Sequence, residues 1–299
     1  MTVQSSTESK FVLTYDVGGS HITAGKCRLL DLIAVQTASA PLPPDLTAEA
    51  FISLLEGLCI QVAGSPQNVA GATLAMPNPF DYNAGISHMR HKLVGLYGFD
   101  LRHGLANRFG WDPAQICFLN DAQSYLLGEV GAGAAVGTAR AVGITLGTGI
   151  GASFAIDSRI VVEGEGVPPG GEIWNLPYGP ATVEDLLSTR ALQQDYAART
   201  GNHEEVVTIA RAAATDPDAR AAFETFGLHL GQIFRDILAP FHPEVVVIGG
   251  GIARSAPLFL PVAEQQVTGL GFRLAVSTLM DQAPLIGAAF HWRQTHPPQ

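Results

Sequence analysis

Several short stretches of this chain bring together residue types that can do chemistry. Asp16-Val17-Gly18-Gly19-Ser20 sets a carboxylate and a hydroxyl beside two glycines, directly after the apolar run 11–17. Glycines there let the backbone approach a phosphate closely with its N–H groups as donors, and Asp16 can hold a hydrated Mg²⁺. A plain hairpin turn with a capping Asp is the alternative. Leu146-Gly147-Thr148-Gly149-Ile150-Gly151 is a second glycine turn of the same kind. It is not a dinucleotide fingerprint, because the glycine spacing is wrong and a strand follows where a helix should. A GxxxxGK[ST] phosphate loop also fails: Gly25-Lys26 would need glycine at Ser20 and a hydroxyl residue at Cys27. Two hairpins that cradle phosphate are the better explanation. Gly249-Gly250-Gly251 follows the apolar VVVI and would let a flat adenine or ribose lie against the backbone. A strand-to-helix turn would need fewer glycines, each of which costs backbone entropy on folding.

The carboxylates and amides come next. Asn120-Asp121 sits where a strand passes into a helix, and the helix N-terminus stabilises an ionised carboxylate there. Such a group can take a proton from an attacking hydroxyl. On local sequence alone, a capping role for Asp121 is the simpler reading. Glu172, after Gly170-Gly171, can hydrogen-bond two sugar hydroxyls, and Glu184 opens a helix twelve residues later. A surface acid and a helix-start acid are the alternatives. His88, His91 and His103 have no carboxylate or cysteine company that would mark a metal site, and His203-Glu204-Glu205 lacks the second histidine of a zinc-protease motif at Val207.

These residues need elements to hold them. Strands are predicted at 11–17, 20–28 and 32–37, then a helix over 47–63 capped by Asp45 with Phe51, Leu54, Leu55, Leu58 and Val62 on one face. A strand at 69–75, a loop rich in Pro, Asn and Gly through 76–99, a helix from Asp100 to near Gly110, a strand at 115–119 and a helix to about 130 follow. The order then repeats: strands at 141–146, 151–157 and 160–163, a helical insert over 181–213, a long helix from Asp216-Pro217 to about Pro240, a strand at 245–248, a helix, a strand near 272–276 and a helix from about 285. Both halves run β-β-β-α-β-α-β-α, with a glycine turn between the first two strands, which points to duplication of one α/β unit. Two such lobes would enclose a cleft, where ligands of open α/β sheets sit. The division is expected as 1–121, with helix 286–299 returning to it, and 122–285.

Composition limits the classes of function. Of 299 residues, 47% are hydrophobic and 15% charged, enough apolar content for large cores and too much for disorder. A net charge of −10 with scattered Lys and Arg argues against a nucleic-acid partner. It does not exclude ATP, which backbone N–H groups and a divalent cation can hold. Cys27, Cys59 and Cys117 lie far apart and suggest neither disulfides nor a zinc knuckle. The polar stretch 1–10 is not a signal peptide, and 141–156 is broken by glycines, so no membrane partner and a cytoplasmic location are expected.

Taken together, DVGGS (16–20), LNDAQSYLLGE (119–129), LGTGIGASFAIDSRIVVEGEG (146–166), GGEIWN (170–175), PEVVVIGGGIA (243–253) and LIGAAF (285–290) resemble the ROK family of bacterial sugar kinases and repressors, of the actin-like ATPase superfamily. The order and spacing of the motifs, from Phe11 to about Trp292, carry the resemblance. It implies a duplicated, ribonuclease H-like α/β fold and an ATP-dependent, Mg²⁺-requiring kinase acting on a small-molecule sugar, working as a homodimer. Asp16 (through water to Mg²⁺), Gly18, Gly19, Ser20, Gly147, Thr148, Gly149, Gly249, Gly250 and Gly251 would serve ATP. Asn120, Glu172 and Glu184 would bind the sugar, and Asp121 would be the general base on a hexose hydroxyl, by default C6 of a glucose-like sugar. The family's GEIGH reads GEIWN here, so Asn175 stands where a histidine binds sugar and zinc. The cysteine-rich zinc loop is replaced by 176–183 (LPYGPATV), and no structural zinc is expected. Asn78, in MPNP (76–79), stands where the family has a Pro-Gly-Pro turn near the sugar. Amino or N-acetyl sugars remain open as substrates. Rival readings are a DNA-binding regulator, for which a first strand at residue 11 leaves no room for a helix-turn-helix, a sugar-binding protein without catalysis, and a polyphosphate-dependent kinase, which would call for a basic track.

Overall fold

The computed structural model describes residues 10–297, so all of the N-terminal stretch discussed above except Lys10 lies outside the described residues. The first half runs β1 (Phe11–Val17), β2 (His21–Arg28), β3 (Ile33–Pro41), α1 (Ala48–Ala63), β4 (Ala72–Met76), the short β5 (Phe80–Asp81) and β6 (Ile86–Ser87), α2 (Leu101–Phe109), β7 (Ile116–Asn120) and α3 (Asp121–Ala132). The second half runs β8 (Arg140–Leu146), β9 (Ile150–Ile156), β10 (Arg159–Val161), the hairpin β11 (Pro177–Tyr178) and β12 (Ala181–Thr182), α4 (Val183–Leu186), α5 (Thr189–Thr200), α6 (Val206–Ala212), α7 (Pro217–Ile233), β13 (Val245–Gly249), α8 (Ala256–Val267) and β14 (Arg273–Val276). α9 (Ala283–Thr295) follows.

The duplication is explicit in the sheets. One has the order β3-β2-β1-β4-β7 and the other β10-β9-β8-β13-β14. In each, three antiparallel strands are extended by two parallel ones. β4 (ATLAM) and β13 (VVVIG) are buried throughout, as expected of strands covered on both faces. Each sheet has its own apolar core. Phe51, Leu55 and Leu58 of α1 pack with Leu13, Tyr15 and Leu74 in the first, and Phe223, Phe226 and Leu230 of α7 pack with Val142, Phe154 and Val246 in the second. Each such side chain contributes about 1.5–3 kcal/mol on burial.

The chain divides into a unit that runs to Ala132 and resumes at Gln282, and a unit Gly133–Asp281. The boundary thus falls after α3 rather than before it. The reason is backbone proximity between α3 and α9, the final helices of the two repeats. A Cβ on Gly128 would lie 2.1 Å from the Ala283 carbonyl oxygen, and one on Gly287 1.7 Å from that of Ser124. The Ser124 hydroxyl donates to the Pro284 carbonyl at 2.7 Å.

Local differences from the sequence expectation have physical causes. α1 is capped by Thr47, whose hydroxyl accepts the Ala50 N–H at 3.2 Å, and not by Asp45. Thr47 is adjacent to the first turn, and such a cap is worth about 1 kcal/mol. β4 starts at Ala72, and 66–68 form a 3₁₀ turn capped by Ser65. The long helix leaves α geometry after Ile233 for a π-helical turn, Phe234–Leu238. The insert over 181–213 begins with β12, the second strand of the β11–β12 hairpin, and contains three helices. Among the described residues no helix is long and apolar enough to cross a membrane.

Candidate functional site

In the first unit, the parallel register of β1, β4 and β7 brings three separate segments to one edge. Asp16 pairs with Ala75, Ala75 with Leu119, and Met76 with Asn120. The carboxyl ends of these strands therefore present Asp16, the segment after Met76 that contains Asn78, and Asn120-Asp121, at the edge where open α/β sheets bind ligands.

Asn120, not Asp121, caps α3. Its Oδ1 accepts the N–H groups of Ala122 at 3.0 Å and Gln123 at 3.3 Å. Asp121 is the first helical residue and is half-buried, with Oδ1 2.9 Å from the Ala122 nitrogen. Burial pushes its carboxyl above the ordinary 3.8, against the opposing pull of the Ala122 N–H and the positive charge of Lys92. A carboxylate relieved of the capping duty and made more basic by its surroundings is suited to accept a proton.

Tyr82 ties the amides of this edge together. Its Oη lies 2.8 Å from Asn78 Oδ1 and 3.0 Å from the Met76 carbonyl oxygen, and accepts from Asn120 Nδ2 at 3.3 Å. The amide orientations of Asn78 and Asn120 are thereby coupled. The glycine turn after β1 is closed by the Gly18 N–H donating to the His21 carbonyl at 3.0 Å, while Ser20 Oγ meets His21 Nδ1 at 3.0 Å. A Cβ on Gly19 would meet nothing within 4 Å, so this turn offers open backbone.

The second unit has the equivalent edge. Gly249 pairs with Thr145, so the turns 147–149 and 249–251 leave adjacent parallel strands. Gly250 has φ +84°, and a Cβ there would lie 2.4 Å from the Leu146 carbonyl oxygen, so the close approach of the two turns demands glycine. Gly251, like Gly147, is open on its side-chain side, and Thr148 is exposed. The Thr189 N–H and hydroxyl both donate to the Gly147 carbonyl, at 2.8 and 2.9 Å. Glu184 Oε2 accepts the Ile150 N–H at 3.3 Å, and a Cβ on Gly149 would run into that carboxylate. Glu184 is thus engaged with the second glycine turn. Its own N–H donates to the Trp174 carbonyl at 3.0 Å, and Trp174 Nε1 donates to Glu172 Oε2 at 2.8 Å. Glu172, Trp174, Glu184 and the turn are linked by these hydrogen bonds, and Asn175, next in sequence to Trp174, is exposed.

The segment 176–183 folds as the β11–β12 hairpin, pinned by Tyr178 Oη donating to Asp236 Oδ2 at 2.7 Å on the π-helical turn. Among the described residues no group of three or more His, Cys, Asp and Glu is arranged to hold a metal ion. Asp16, a half-buried carboxylate before an open glycine turn, fits a hydrated Mg²⁺ held through water. The sequence reading missed Tyr82, Lys92 and Trp174. Tyr82 and Lys92 lie in a long loop with no periodicity, while Trp174 had a signal in the bulky ring of GEIWN.

Two repeats of this five-stranded sheet, with carboxylates and glycine turns at the strand ends, define an actin-like ATPase fold. The ROK family model matches residues 12–295, and the chain belongs to the ROK family. It is 27% identical over 250 residues to a glucokinase of Thermotoga maritima, covering 72% of this chain and 77% of that one. It is 25% identical over 256 residues to a β-glucoside kinase of Klebsiella pneumoniae, covering 81% and 84%. Its fold is similar, with a TM-score of 0.79 at 22% identity, to a ROK family glucokinase from Streptomyces griseus in complex with glucose and AMPPNP, covering 95% of this chain and 99% of that one.

Proposed function

We propose that this chain is an ATP-dependent sugar kinase that transfers the γ-phosphoryl group to a hexose hydroxyl, C6 of a glucose-like sugar. The observation that carries the reading is the meeting of Asp16, Asn120 and Asp121 at one strand edge, with Asn120 doing the capping and Asp121 left more basic than an ordinary aspartate. Asp121 accepts the proton of the sugar hydroxyl as its oxygen attacks the γ-phosphorus. The bond from that phosphorus to the bridging oxygen breaks, and ADP departs. Asn120 and Asn78, oriented by Tyr82, hydrogen-bond sugar hydroxyls, as do Glu172 and Asn175. Glu184 braces the second glycine turn and is linked through Trp174 to Glu172. The turns 18–20 and 147–149 donate N–H groups to phosphates, and the turn 249–251 lies against adenosine. Mg²⁺, bound through water to Asp16, would neutralise phosphate charge, which matters in a chain of net charge −10. The curated relatives named as glucokinase and β-glucoside kinase support the same class of reaction.

The test is ADP release from Mg-ATP across a panel of hexoses, amino sugars and N-acetyl sugars. Turnover on one sugar is expected, and Asp121→Asn should lower kcat by about 10²–10⁴-fold, the range of general-base catalysis, with sugar and nucleotide binding retained. ATP bound but never turned over with any sugar would remove the kinase reading.

A further inference from the structure

In a chain of net charge −10, no Asp or Glu lies between Asp81 and Asp100, while His88, Arg90, His91 and Lys92 fall within five residues. All four side chains are exposed, and among the described residues none of them forms an ion pair. On an unanchored loop such a run is an ordinary solvated surface. This loop is anchored. The Gly98 N–H donates to the Ser87 carbonyl at 2.8 Å and Ser87 bridges to Tyr97, which closes the neck. Met89, Leu93 and Leu96 are buried in the core of the first unit, so 90–92 are held outward between two plugs. Arg90 is fixed further: it donates to Tyr97 Oη, and its guanidinium lies 4.6 Å from the centroid of that ring. A guanidinium held this way loses little freedom when it takes a planar anion in two parallel hydrogen bonds.

The place of the loop matters as much as its charge. The His88 N–H donates to the Pro79 carbonyl at 3.0 Å, so the basic run starts beside Asn78, whose amide is joined through Tyr82 to Asn120. Lys92 is close enough for its charge to act on Asp121. The run therefore borders the amides assigned above to the acceptor.

We infer that the loop 88–97 selects the acceptor, and that the preferred acceptor is a sugar bearing an anionic oxygen group, a phosphate or a carboxylate, on a carbon other than the one phosphorylated. The inference rests on the kinase reading above and names the acceptor class of that same site. Arg90 takes the anion in two parallel hydrogen bonds, Lys92 adds a point charge, and His88 and His91 supply N–H donors. An acidic chain repels an anionic acceptor at long range, and a local positive loop at the acceptor edge offsets that repulsion where the sugar binds.

The experiment uses glucose carrying a phosphate, an O-carboxymethyl or an O-methyl group at C1 or at C3, so that each anion has a neutral partner on the same carbon. In the unaltered chain, kcat/KM for one anionic sugar should exceed that for its O-methyl partner by about tenfold, through a lower KM, and the ratio should shrink as salt is raised. Which anion shows it separates phosphate from carboxylate. Arg90→Gln combined with Lys92→Gln should abolish the preference. Arg159→Gln combined with Arg211→Gln removes the same charge from exposed positions of the other unit and should leave the ratio unchanged. No anionic preference in the unaltered chain would overturn the inference, as would a ratio that survives the loop substitutions or falls equally with the remote pair. A higher KM for ATP in the loop variant, the same with anionic and neutral acceptors, would overturn it by assigning the loop to the donor. Failure of the kinase reading looks different. No sugar is then turned over, while calorimetry without ATP still detects the anionic sugar on the unaltered chain and not on the loop variant; absence of that binding as well would dispose of the loop site.

Discussion

At the scale of single residues, the proposed role of Asp121 carries a prediction about pH. A general base works only when ionised. Burial raises the Asp121 carboxyl above the ordinary 3.8, so activity should fall, as pH drops, at a higher pH than a solvated aspartate would give. The charge of Lys92 opposes that rise. Lys92→Ala is therefore expected to move the acid limb of kcat/KM further upward in pH, and added salt should reproduce part of the shift in the unaltered chain, because Lys92 is exposed and its field is screened. A pH profile of each at low and high salt checks both. Asp121 is proposed as the base from Asn120-Asp121 together with the family motif, but the capping of α3 by Asn120 was not legible there. That depends on which of two adjacent side chains turns back onto the helix, and only the fold decides between an amide and a carboxylate one residue apart. The coupling of Asn78 to Asn120 was equally hidden, since Tyr82 joins them across a loop that no periodicity describes.

At the scale of elements, glycine sets how closely α3 and α9 approach. Gly128 and Gly287 let the two helices approach until backbone meets backbone. Gly287→Ala would place a methyl 1.7 Å from the Ser124 carbonyl oxygen, and the helices would have to part. The expected cost is about 1–3 kcal/mol or more, read as a lower urea midpoint at an unchanged slope. The repeat of strands and helices was readable from apolar runs and turn residues, because buried parallel strands such as VVVIG leave a continuous signal. Element ends were less readable. Thr47 and Asp45 are both good caps, and only the position of the first turn selects one. The short β11–β12 hairpin has too few residues to show a period, so 176–183 reads only as a short connection, with β12 falling inside the helical expectation over 181–213.

At the scale of the whole chain, the first unit is discontinuous: its sheet and α3 are made from the first 132 residues, and α9 arrives from beyond the second unit. Deleting α9 should expose α3 together with apolar surface of β1 and β4, while leaving the core of the Gly133–Asp281 unit intact. Hydrogen exchange on a chain ending at Asp281 checks this. Protection is expected to drop in β1, β4 and α3 and to persist in β8 and β13. Equal loss in both sheets would show that the second unit depends on α9 as well.

The same discontinuity orders events in time. As the chain leaves the ribosome, the whole second unit emerges while the first still lacks α9, so the unit synthesised first is the one completed last. Domains usually fold from the N-terminus onward during synthesis at about 5–20 residues per second. Here the edge that carries Asp16 and Asp121 waits several seconds with part of its apolar surface uncovered, the interval in which a chaperone would find it.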